Sequence, residues 1–176
     1  MKNTIKSLII GIFIAAGSLS TANANDPSPT LPLDVDQSEY KLLSYNMVDP
    51  ENWKIFEIGE QGGEDGVKYS YFYNKKDHSY LGVMLYMSPI SVENLLIGAL
   101  YRAGKESWIM NSQTEFKMGN SLGYRLDYET KKNIKDNTIE ITYLLNSDEK
   151  TYMIIFTVDK KIYKENIYSD LIARFN

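Results

Sequence analysis

"KYSYFYNKKDHSYLGVMLYM", residues 68–87, places five tyrosines and the chain's one histidine within twenty positions. Either these side chains surround a reactive imidazole, or the stretch is one hairpin of a sheet. Alternation favours the hairpin. Val67, Tyr69, Tyr71 and Tyr73 share one strand face, because successive side chains point to opposite sides. On the return strand Leu81, Val83, Leu85 and Met87 share a face. Matching apolar to apolar predicts a register of odd with odd positions, with Tyr73 opposite Leu81 and Asn74 opposite Tyr80. Lys75 to Ser79 then form a five-residue loop, a common hairpin length, with His78 at a solvated tip. The far face of the return strand carries Tyr80, Met84 and Tyr86 beside Gly82.

Asp77, His78 and Ser79, with Ser70 nearby, invite an acid–base–nucleophile reading. Neighbours on an extended chain point apart, and a catalytic base needs a group from elsewhere to orient it. The tip is therefore read as a polar loop. Upstream, "GEQGGEDG" (59–66) has four glycines in eight residues and is a loop. Its acids, Glu60, Glu64 and Asp65, are oxygen ligands of the kind calcium takes, but they do not match a D-x-[DN]-x-[DN]-G loop. It also lacks the G-K-[ST] of a phosphate cradle. A solvated turn is the expectation. "YKLLSYNMV" (40–48) and "WKIFEI" (53–58) read as strands on either side of an Asp49-Pro50 turn.

Downstream, "SVENLLIGALYRAG" (91–104) reads as a helix. Ser91 is an N-cap, Glu93 complements the dipole, and Val92, Leu95, Leu96, Ala99, Leu100 and Ala103 follow helical spacing up to Gly104. "QTEFKM", "SLGYRLDYET", "TIEITYLLN" and "TYMIIFTV" read as strands, the last apolar on both faces and so central. "KKIYKENIYSDLIARFN" (160–176) reads as a closing helix, with Tyr163, Ile167, Leu171 and Phe175 at four-residue steps. Short connections between strands favour antiparallel pairing. The expected class is α+β: a mostly antiparallel sheet flanked by two main helices.

The N-terminus has Lys2 and Lys6, a short apolar run from Leu8 to Ala16, and Ala22-Asn23-Ala24, an A-x-A cleavage pattern. The run is roughly half of the ~20 residues that span a bilayer. Residues 1–24 are expected to be a cleaved signal peptide and the product periplasmic, with no membrane anchor. Residues 25–38 open with "NDPSPTLP" and read as an extended tether, leaving 39–176 as one domain. Losing residues 1–24 removes two lysines and no acid, taking the net charge from −4 to −6 over 152 residues. An acidic chain with three arginines is a poor partner for nucleic acid, and suits a basic protein better. The absence of cysteine removes disulfides, thiol nucleophiles and thiolate metal sites. One histidine offers little to zinc.

The helix "SVENLLIGALYRAG", the strand start "GYRLDYE" (123–129), the strand "EKTYMIIFTV" and the ending "IYSDLIARF" together resemble the PsbP/DcrB-like superfamily. That superfamily includes photosystem II extrinsic subunits and bacterial periplasmic proteins. The resemblance spans about Tyr40 to Phe175. It implies an αβα sandwich and a binding or assembly role, with no shared catalytic centre and no residue set to carry over. The chain departs from DcrB-type lipoproteins in lacking a lipobox cysteine.

The expected function is therefore non-catalytic protein binding without a cofactor. Contacts are expected through Tyr80, Met84 and Tyr86, if the second helix leaves their face open, and through Glu64 and Asp65. One concrete form is an immunity or inhibitor protein that neutralises a basic toxin or secretion effector in the periplasm. The alternatives are a DcrB-like envelope housekeeping factor and a hydrolase using carboxylates from separate strands.

Overall fold

The computed structural model describes residues 51–118, 121–131, 137–147 and 150–165. Strands β1 (Trp53–Gln61), β2 (Val67–Asn74) and β3 (Tyr80–Tyr86) precede helix α1 (Val92–Lys105). Strands β4 (Ile109–Met118), β5 (Ser121–Lys131), β6 (Asn137–Ser147) and β7 (Lys150–Asp159) follow it. They form one antiparallel sheet in the order β1-β2-β3-β7-β6-β5-β4. A short 3-10 turn, Gly63–Asp65, joins β1 to β2. The expected strand at 40–48, the signal peptide and the tether lie outside the described residues.

The hairpin at 68–87 forms, but one residue away from the expected register. Tyr73 pairs with Tyr80, Tyr71 with Gly82 and Tyr69 with Met84, so odd positions face even ones. The Asn74 N–H donates to the Ser79 carbonyl at 2.9 Å and the His78 N–H to the Asn74 carbonyl at 3.0 Å. Four residues, Lys75 to His78, make the turn, with His78 in the left-handed region at φ 60°. A one-residue slip moves a whole strand face. The tyrosines of β2 and the set Tyr80, Met84 and Tyr86 therefore share one face rather than lying on opposite faces.

Both faces of the central strands are buried, which is why apolar matching did not fix the register. On one face Tyr71, Met84, Tyr86, Tyr128 and Ile155 pack against Val92, Leu95, Ala99 and Ala103 of α1. On the other, Phe72, Leu81, Tyr143, Ile154 and Phe156 form a second core. β7 contributes to both and stands fourth of seven strands, as its apolar run predicts. Each fully buried side chain of this size contributes ~1.5–3 kcal/mol. The Ser91 hydroxyl accepts from the Asn94 N–H at 3.2 Å to start α1. The helix lies over β5 and β6 and runs one residue past Gly104, to Lys105.

The expected αβα sandwich with two main flanking helices is corrected. Among the described residues one α-helix covers one face of a sheet that dominates the molecule. The reading of 160–176 as a helix assigned its first turn to residues that do something else. Asp159 ends β7, and its carboxylate accepts from the Lys161 N–H at 2.8 Å while its carbonyl accepts from Ile162 and Tyr163. An Asp that bonds the backbone two residues on makes a turn. Tyr163 follows it onto the second core. Residues 166–176 lie outside the described residues.

Candidate functional site

At the hairpin tip, Tyr73 hydrogen-bonds His78 Nδ1 through its hydroxyl and packs tilted against Tyr80 with ring centroids 5.2 Å apart. The Asp77 carboxylate accepts from the backbone and the hydroxyl of Ser79, at 3.0 and 2.5 Å. Asp77 thus bonds Ser79 and the imidazole bonds Tyr73. The three neighbours form a turn lock, without the acid–base–nucleophile order of a triad.

Beneath α1 lies a charge pair that the sequence reading did not single out. The Arg102 guanidinium donates to the Glu140 carboxylate, and Thr142 donates to the same oxygen at 3.0 Å. Arg102 also stacks 4.6 Å over the Trp108 ring. Burial pushes the Glu140 carboxyl up, while Arg102 and Thr142 pull it back. Tyr71, Tyr86 and Tyr128 send buried hydroxyls into this region. Burial raises all three, Tyr128 to about 12, and Arg102 opposes the rise in each. Tyr71 reaches the cluster because its ring lies across Gly82, where a Cβ would sit 2.8 Å from a ring carbon. The available signal for Arg102 was its place seven residues after Leu95 and three after Ala99, on the buried stripe of α1. Breaking such a buried pair by removing one partner leaves the other charge buried and uncompensated, so the two groups tie α1 to β6 as a unit.

Of the residues expected to meet a partner, Met84 is 1% and Tyr86 3% exposed. Helix α1 covers them, so the aromatic docking patch is corrected at these two positions. Tyr80 is half-buried against Tyr73. Glu64 and Asp65 are exposed on the 3-10 turn, where Asp65 accepts from the Ser88 hydroxyl at 2.7 Å. That turn and Tyr80 stand at opposite ends of the β2–β3 hairpin, ~20 Å apart by strand rise. The five residues therefore do not converge. Among the described residues no three His, Cys, Asp or Glu side chains gather to hold a metal ion. No described helix is long and apolar enough to cross a membrane.

The surface that sequence reasoning missed is the β4 edge. β4 ends the sheet order, and no described strand pairs with its outer side. Ile109 and Met110, at its head, are 43% and 47% exposed. From Ile109 to Lys117 only Ser112 and Phe116 are even half-buried. An edge strand presents outward N–H and C=O groups that can bond an added strand. A bulge between Met110 and Ser112 leaves Ser112 to Met118 as the regular part. The only signal in the sequence was Ile109-Met110 ahead of a polar run, which reads equally well as a loop end.

No protein-family model matches the sequence, and no curated protein matches it. Among solved structures the chain is similar to the solution structure of cyanobacterial PsbP (CyanoP) from Synechocystis sp. PCC 6803. Identity is 11% and the TM-score 0.49, over 89% of this chain and 95% of that one. A likeness of this degree transfers no residue and no role.

Proposed function

We propose that this chain is an exported, non-catalytic protein-binding domain that docks its partner on the β4 edge. The observation that carries the reading is the outer side of β4, with which no described strand pairs, with Ile109 and Met110 exposed at its head. Backbone pairing supplies affinity in strand addition, and side chains at the end of the strand supply choice of partner. Methionine and other large apolar groups serve as anchors in such contacts. The net charge of −4 favours a basic partner. In the specific form proposed, the partner is a basic toxin that the domain neutralises in the periplasm.

The test uses the chain purified from the periplasm of its source bacterium, with its N-terminus read by mass. Capture should recover one stoichiometric basic protein whose toxicity the chain suppresses. Met110→Lys should weaken that complex roughly tenfold or more by burying a charge that a basic partner cannot pair, with the thermal midpoint unchanged. Recovery of chaperones alone, or full binding by Met110→Lys, would sink the reading.

A further inference from the structure

The outward side of α1 carries Glu93, Ile97, Tyr101 and Lys105 at four-residue steps. Residues so spaced form one ridge along a helix. All four are exposed, and Ile97 (62%) and Tyr101 (55%) exceed the other exposed large apolar side chains described. The order acid, aliphatic, aromatic, base has a particular symmetry. Turned end for end, it presents a base to each acid and a ring to each aliphatic chain.

We propose that this ridge is a self-complementary contact on which a second copy of the chain packs, the two α1 helices running antiparallel. Ile97 then meets Tyr101 of the second copy, and Glu93 meets its Lys105, each contact occurring twice about the two-fold axis. Gly104 falls opposite Asn94, and a Cβ built on Gly104 meets nothing within 4 Å, so the backbones can approach there. Lys105 already leans over the Tyr101 ring, its Nζ 5.0 Å from the centroid, which holds the charge on the ridge. An acid at the start of a helix and a base at its end are common for dipole reasons alone. The dipole does not explain the exposure of an isoleucine and a tyrosine between them.

The ridge is ~18 Å long by helix rise. It covers less than the ~800 Å² per partner of a standard interface, so the dimer is transient. This contact is independent of the β4 reading, since it uses another element and another occupant.

The test is sedimentation of the full exported chain over a wide concentration range. The mass should rise toward twice that of the monomer as concentration increases. Glu93→Lys sets lysine against Lys105 in both contacts, and Lys105→Glu sets glutamate against Glu93. Each should weaken self-association roughly tenfold, two exposed ion pairs having become repulsive. Mixing the two variants should restore the dimer, because both contacts then regain opposite charges. Circular dichroism checks that the helix survives each change. A monomer at every concentration overturns the proposal. So does a dimer indifferent to both reversals, or a mixture that stays monomeric.

Discussion

Gly82 governs the helix face through a single missing carbon. The Tyr71 ring occupies the space above it, and Tyr71 is itself buried, so the ring has nowhere to go. Gly82→Ala should cost ~1–3 kcal/mol by overpacking. Gly59→Ala makes the control. The Cβ there meets the hydroxyl end of the half-buried Tyr69, which can yield only by shifting its exposed bond to Glu57, and the cost should fall at the low end of that range, ~1 kcal/mol. Chemical denaturation of both variants checks the ordering. Arg102 and Glu140 lend themselves to a double-mutant cycle. Arg102→Met alone or Glu140→Leu alone leaves a buried charge unpaired and should cost ~3–5 kcal/mol. The double replacement should return close to the parent, and additive losses would show that the pair is not coupled. The sign of the pH effect follows from burial. A carboxyl raised above its unfolded value of 4.5 destabilises the fold where it is ionised. Arg102→Met should therefore regain stability on acidification from neutral pH toward 4.5, which thermal melts can follow.

At the level of elements, the segment after β7 is strapped to the face that α1 does not cover. Arg125 on β5 forks onto Glu165, with Nη2 to Oε2 at 2.8 Å, and also bonds Asp127 at 2.8 Å. Lys160 bonds Glu129 at 2.6 Å, and Tyr163 packs between these anchors on the second core. Arg125 holds the Glu165 carboxyl down at about 2, well below its ordinary 4.5. A depressed carboxyl contributes stability above its unfolded value and loses it as pH falls through the folded one. Glu165→Gln should lower the thermal midpoint at neutral pH, and the gap to the parent should close between pH 4.5 and about 2. The Glu165 side chain is 55% exposed, so the gap should be small and shrink in salt. Much of the element plan was legible in the sequence. The 68–87 hairpin, the Ser91 cap, the stripe of α1 and the central place of β7 each rest on one strong local signal. The register was not legible, because β3 is apolar on both faces and either pairing buries a full set. The reason Tyr71 faces Gly82 is a ring crossing a strand, which no alternation pattern records. The helix expected from Lys160 fails at its first turn for a related reason. Four-residue spacing at Tyr163 ignored the turn that Asp159 makes just before it.

For the molecule as a whole, the arrangement separates what is sealed from what is open. The charge pair lies under α1, and Tyr71 and Tyr86, with Tyr69 against them, belong to the core beneath the same helix. The aromatic patch expected on β3 is mostly inside, and the expected contact residues that remain accessible, Tyr80, Glu64 and Asp65, are spread along a hairpin. Among the described residues β1 and β4 both end the sheet without a strand on their outer sides, and the outer ridge of α1 is exposed; of the two edges, β4 is the one with Ile109 and Met110 exposed at its head. Neither the β4 edge nor the ridge was legible as a site, because exposure of an edge depends on the order of seven strands and not on any one stretch. On the proposed reading the partner adds as a strand on β4. Hydrogen–deuterium exchange of the chain with and without its captured partner tests this most directly. Backbone amides between Ile109 and Met118 should exchange at least roughly tenfold more slowly in the complex, since added ladder bonds remove them from solvent. Unchanged exchange along β4, with protection confined to the 59–66 turn or the 75–78 tip, would contradict it.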